Sequence, residues 1–142
     1  MEKKDSKFCQ CLYHSANALG RVMSRMAEEE FSLAGLSPSY AFLLMSVNEK
    51  PGIQPKEISR EMQLTPSTVT RFIEKMEHRG FVERRINGRN TEVFPTEKSL
   101  QLDQNIRDAW NNLYKRYTTL LGEDAAKQLT TDVYEASKTL DE

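Results

Sequence analysis

Three side chains on one short stretch, Ser67, Thr70 and Arg71, suit contact with an anionic, grooved partner. At about 100° per residue they gather on one side of a helix together with Glu74 and His78. Hydroxyl and guanidinium groups bind phosphate oxygens and base edges, and Pro66 and Thr68 in the same first turn belong with them. A second set, Arg84, Arg85 and Arg89, follows shortly downstream. Arg79 to Thr91 holds four arginines and one acid, Glu83, although the 142-residue chain carries a net charge of −1. A locally basic patch on a near-neutral body fits a specific contact of modest area with double-stranded DNA.

A third set, Cys9, Cys11 and His14, raises metal or thiol chemistry. If this stretch is helical, Cys9 and Cys11 point about 200° apart and cannot share an ion, and structural metal sites want four converging ligands. No metal and no cofactor are therefore expected. Free cysteines most often pack as small buried residues, which is the expectation here. The only histidines, His14 and His78, fall on different helices, and no Ser/His/Asp set, nucleophile elbow or glycine-rich phosphate loop is present. An enzyme is not expected.

The elements that must position these residues are legible. Thr65 is a good N-cap and Pro66 sits at the first helical position, where its missing N–H costs nothing. Val69, Phe72, Ile73 and Met76 form the inward stripe of that helix. Before it, Pro51-Gly52 breaks the chain and Gln54 to Met62 reads as a short helix with Ile58 and Met62 inward. Only Gln63-Leu64 separates the two, so the pair is a helix-turn-helix. After it, Arg79-Gly80 ends the helix. Asn87-Gly88 between two apolar-alternating runs predicts a hairpin with a type I′ turn. A two-residue loop there sets Val82 against Val93 and Phe81 against Phe94, with Arg84, Arg85 and Arg89 near the tip.

These residues resemble the MarR family of winged-helix transcription regulators. The resemblance rests on Leu64-Thr65-Pro66-Ser67-Thr68-Val69-Thr70-Arg71-Phe72-Ile73, on Met76 to Arg84 and on Val93-Phe94-Pro95-Thr96, and at low resolution it covers the whole chain. It implies a homodimer on a near-palindromic operator, usually repressing, that releases DNA on binding a small molecule or on oxidation. The pattern departs at Asn87-Gly88-Arg89, where the family has Asp-x-Arg on a longer loop, at Pro95 for leucine, and at Ser99 for glycine. Phe8 to Tyr13 with Pro38-Ser39-Tyr40 is similar to the organic-hydroperoxide-sensing (OhrR-like) branch. There Cys9 would be the reactive thiol, Cys11 its neighbour, and Tyr40 one partner-subunit tyrosine; Ser37 stands where the second would be.

The remaining segments frame the winged part. Phe8 to about Phe31 predicts a long first helix, with Phe8, Leu12, Ala16, Leu19, Met23 and Met26 as its stripe. Leu33 to Leu36 interrupts it, and Ser37 caps a second helix with Tyr40, Leu43, Leu44 and Val47 on its apolar face. Thr96 caps a long helix to Leu121, Gly122 stops it, and Glu123 to Leu140 forms the last, with Leu129, Val133, Ala136 and Leu140 inward. The fold class is thus mainly α with a small β-hairpin wing. Residues 37–96 make the DNA-binding domain, and residues 1–36 and 97–142 a helical dimerisation region, because such wide stripes must be buried against something. Hydrophobic content of 38% describes a soluble globular chain, no apolar run is long enough for a membrane span, and the charged start lacks a signal-peptide pattern, so the chain is placed in the cytoplasm. The competing readings are a small-molecule-released repressor, a thiol sensor using Cys9, and a winged-helix module that binds protein.

Overall fold

The computed structural model describes residues 5–141. The remaining residues of the assigned dimerisation region, 1–4 and 142, lie outside the described residues. The order is α1 (Leu12–Phe31), a 3-10 turn (Ser32–Ala34), α2 (Pro38–Glu49), α3 (Pro55–Met62), α4 (Pro66–His78), β1 (Val82–Asn87), β2 (Asn90–Pro95), α5 (Glu97–Leu121) and α6 (Glu123–Leu140). The expected class, mainly helical with one two-stranded hairpin, holds.

The core lies where α2 crosses the winged part. Leu43, Leu44 and Val47 of α2 meet Ile58 of α3, Val69, Ile73 and Met76 of α4, Val93 of β2 and Ile106 of α5, all fully or nearly fully buried. Helix α2 is apolar on most sides, as an inner helix must be. Its N-cap, Ser37, makes no side-chain capping bond, unlike Thr65 and Thr96, whose hydroxyls accept the amides of Thr68 and Ser99. A short bridge ties the front of the helix-turn-helix to the wing. The Gly52 amide donates to the Val93 carbonyl and the Val93 amide to the Ile53 carbonyl, at 2.8 and 2.9 Å. Gly52 has φ of +90°, and a Cβ there would lie 3.3 Å from the Phe94 ring, so the chain break at Pro51-Gly52 is also a close approach.

Three expectations need correction. Helix α1 begins at Leu12, not Phe8; residues before it form turns closed by Cys9 N–H to Ser6 O and Cys11 N–H to Phe8 O. The hairpin register differs by two residues: Val82 opposes Pro95, Glu83 opposes Phe94 and Arg84 opposes Val93, with Gly88-Arg89 as the loop. Gly88 has φ of +66°, and among the described residues Gln63 is the only non-glycine with positive φ. The signs at Gly88 and Arg89 are those of a type II′ turn, glycine first, rather than type I′. Finally, the α6 stripe is not inward within one chain. Leu129, Val133, Ala136 and Leu140 are exposed and only Ala126 is buried; Phe8, Leu12, Trp110, Leu120 and Leu121 are exposed as well.

Candidate nucleic-acid interface

Helix α4 is held from behind by Val69, Ile73 and Met76, none more than 1% exposed. Phe72 adds an edge-on contact with Tyr40, ring centroids 5.0 Å apart. The periodicity therefore leaves the opposite face in solvent, and Ser67, Thr70, Arg71, Glu74 and His78 are all exposed there. Two hydroxyls are already committed. Thr68 Oγ1 lies 2.9 Å from Thr65 Oγ1, and Thr68 is half-buried, so it belongs to the cap more than to the outward face. Thr70 Oγ1 donates to the Pro66 carbonyl at 2.9 Å. Arg71 makes no hydrogen bond or ion pair among the described residues.

The turn into α4 is tight because Gln63 takes the left-handed conformation, φ 54° and ψ 43°, which glycine would adopt without strain. The Leu64 amide then donates to the Ser59 carbonyl at 3.2 Å, and the Ser59 hydroxyl donates to the Leu64 carbonyl. At the other end of α4, the Thr96 hydroxyl donates to the Gly80 carbonyl at 2.6 Å and Lys98 Nζ to the Arg79 carbonyl at 2.8 Å. Both tie the root of the wing to the first turn of α5.

The three wing arginines do not act alike. Arg84 shares its face of the hairpin with Val82 and Val93, the face that packs on α4. Its Nε and Nη2 donate to Glu77 Oε1 at 3.2 and 2.8 Å, and its backbone amide donates to Oε2 at 3.4 Å. The hydrogen bond from Arg84 holds the Glu77 carboxyl below its ordinary value and raises Arg84 above its own. Arg84 thus fastens the wing to α4 and is not near the tip. Arg85 lies over the Phe94 ring, 4.1 Å from its centroid, with Glu83 at 3.5 Å. Arg89 occupies the second loop position, exposed at the tip beside an exposed Ile86.

The fold therefore leaves Ser67, Thr70 and Arg71 of α4 and Arg85 and Arg89 of the wing as exposed groups. It withdraws Thr68 and Arg84 into supporting roles. Sequence reasoning missed Glu77; its one signal is a carboxylate on α4 seven positions before a wing arginine. It also missed Ser99, fully buried, whose hydroxyl donates to Asn48 Oδ1 at 2.7 Å while Asn48 Nδ2 reaches Asp103 at 3.1 Å. That network joins α2 to α5, and it accounts for a side chain at this position.

The thiol set is arranged differently from expectation. Cys9 and Cys11 are both exposed, not packed inside, and Cys11 is the N-cap residue of α1. Since they precede the helix, the argument that they point apart around it does not apply. Within its own chain Tyr40 faces Phe72 and Lys75. Among the described residues no group of three His, Cys, Asp or Glu side chains could hold a metal ion, and no helix is long and apolar enough to cross a membrane.

Residues 36–91 match the family model described as the MarR family. A helix-turn-helix transcriptional regulator of Bacillus subtilis (strain 168), YybA, is 26% identical over 83 residues, about half the length of either chain. Among solved structures, the transcriptional repressor CouR bound to a 23-mer DNA duplex superposes with a TM-score of 0.83 at 17% identity, over 96% of this chain and 99% of that one; CouR is a protein of Rhodococcus jostii RHA1. PcaV from Streptomyces coelicolor, in complex with its natural ligand, gives 0.81 at 18% identity over the whole of both chains. The matched segment runs from just before α2 through the helix-turn-helix and into the wing; this part of the chain is similar to the MarR family, and the chain as a whole shares the fold of these solved regulators.

Proposed function

We propose that this chain is a dimeric, DNA-binding transcription regulator of the cytoplasm that represses from a near-palindromic operator and is released by a small-molecule effector. The observation that carries the reading is the exposed face of α4, with Ser67, Thr70 and an unpaired Arg71, beside a wing whose tip presents Arg89. Residues 37–96 then form the DNA-binding domain, with α4 in the major groove and Arg89 on phosphates or in the minor groove. Arg84 supports that surface through Glu77.

The homodimer is supported by the apolar groups that one chain leaves in solvent. Leu12, Trp110, Leu120 and Leu140 are each 46–76% exposed on α1, α5 and α6. A second copy buries such stripes, and two-fold symmetry presents two α4 helices to successive half-sites about 34 Å apart. An effector fits the hollow of about 360 Å³ between α1, α5 and α6, lined by Leu19, Met23, Tyr117, Leu129, Val133 and Gln63. Gln63 lies in the turn that opens α4, so occupancy there bears directly on the recognition helix.

The test is retardation of a duplex carrying the protein's own promoter, at two salt concentrations, with light scattering on the same sample. Salt-sensitive retardation and twice the mass of one chain are expected. Failure to bind at low salt supports the protein-binding module instead, and a monomeric mass overturns the assembly. The exposure of Cys9 and Cys11 favours one second reading, thiol sensing. It requires that organic hydroperoxide release the wild type and Cys11→Ser from DNA but not Cys9→Ser; unchanged wild-type binding removes it.

A further inference from the structure

We infer that α4 reads a thymine next to a guanine in each half-site, Thr70 through the thymine methyl and Arg71 through guanine O6 and N7. This deepens, and rests on, the DNA-binding reading above. Thr70 is constrained by a hydrogen bond within its own helix. Its hydroxyl proton is given to the Pro66 carbonyl at 2.9 Å, so the side chain cannot also donate to a base. Guanine N7 and O6 and thymine O4 are acceptors and gain nothing from it. What Thr70 has left on its exposed side is a methyl group and an oxygen that only accepts. In the major groove the apolar counterpart is the thymine C5-methyl.

Like Arg60 and Arg89, and unlike the arginines that follow, Arg71 has no side-chain hydrogen bond, ion pair or aromatic contact among the described residues. Arg84 is paired with Glu77, Arg85 lies over Phe94 beside Glu83, Arg107 is paired with Asp103 and Arg116 with Glu29 and Glu30. Arg71 carries its full set of donors outward, and guanine offers two acceptors at the spacing of a guanidinium. Glu74, one turn further along the same face, is also exposed. Its carboxylate repels phosphate, which favours the base edge over the backbone for Arg71. Consecutive helix residues rise about 1.5 Å, less than one base-pair step of about 3.4 Å. The two bases therefore fall on adjacent base pairs, on either strand.

The experiment selects duplexes from a pool with a random core, using the full wild-type chain. The selected site is then resynthesised with deoxyuridine for each thymine and 7-deazaguanine for each guanine in turn. One deoxyuridine should weaken wild-type binding about fourfold, the worth of one methyl group removed from water, and should not affect Thr70→Ser, which keeps the hydroxyl and lacks the methyl. One 7-deazaguanine on the neighbouring pair should weaken the wild type by about fivefold or more and leave Arg71→Ala unaffected. A selected site whose binding ignores both base changes, or whose sensitivity persists in the two variants, overturns this inference and leaves the DNA-binding reading standing. Absence of any retained duplex at low salt overturns that reading, and this one with it.

Discussion

Replacing Glu77 by Gln separates two roles that Arg84 could have. The ion pair is well formed, with Arg84 Nη2 2.8 Å from Glu77 Oε1 and both side chains a little over a third exposed. At that exposure water screens the attraction, so the pair contributes about 0.5–1 kcal/mol, not the several that bare Coulomb energy suggests. The hydrogen bond from Arg84 lowers the Glu77 carboxyl from 4.5. For a depressed carboxyl the stabilisation is complete above the unfolded value and is lost as pH falls through the folded one. Urea midpoints of wild type and Glu77→Gln should therefore differ by that amount at pH 7 and converge in acid well below pH 4.5. In DNA retardation, a bracing Arg84 predicts that Glu77→Gln and Arg84→Gln each weaken binding by up to about fivefold, the double variant no further. If Arg84 touched phosphate instead, Glu77→Gln would remove an anion, free a cation and tighten binding, while Arg84→Gln would weaken it and flatten its salt dependence. That second pattern refutes the bracing role, and identical midpoints at pH 7 refute the energetics.

The other expectations concern single sites. Ser99→Ala leaves Asn48 Oδ1 without its donor inside the α2–α5 contact and should lower stability by about 1–3 kcal/mol; an unchanged urea midpoint would show the network is idle. Gln63→Gly relieves a left-handed residue and should raise stability by about 0.5–1 kcal/mol after glycine's own entropy; a lower midpoint would show that the Gln63 side chain holds the turn. Gly52→Ala combines a φ of +90° with a contact on the Phe94 ring and should cost about 1–3 kcal/mol, read by thermal melting. Arg89→Ala should weaken binding to all duplexes alike and reduce the salt slope by about 1; a sequence-dependent loss would move Arg89 from backbone to base.

Elements with a local chemical signature were legible. Thr65-Pro66 marks the start of α4, Thr96 that of α5, and Gly122 the break before α6, because capping and backbone freedom depend only on near neighbours. The outward placement of Ser67, Thr70 and Arg71 followed from where Val69, Ile73 and Met76 had to go. The hairpin register was not legible for the same kind of reason. Sliding one strand by two residues keeps every side chain on its face, so the alternation of Val82, Val93 and their neighbours fits both pairings. The start of α1 was hidden because Phe8 keeps helical spacing with Leu12 although the chain before Leu12 forms turns.

The chain by itself, then, determines the order of helices and hairpin and the face that α4 exposes, since each depends on periodicity and caps spanning a few residues. Only the tertiary structure decides which arginine is available. Arg84, Arg85 and Arg89 are chemically equivalent along the chain; folding gives the first a carboxylate from α4, the second an aromatic face, and leaves the third at the tip. Those partners are distant or cross-strand, and a side chain's use depends on what lies within a few ångströms of it.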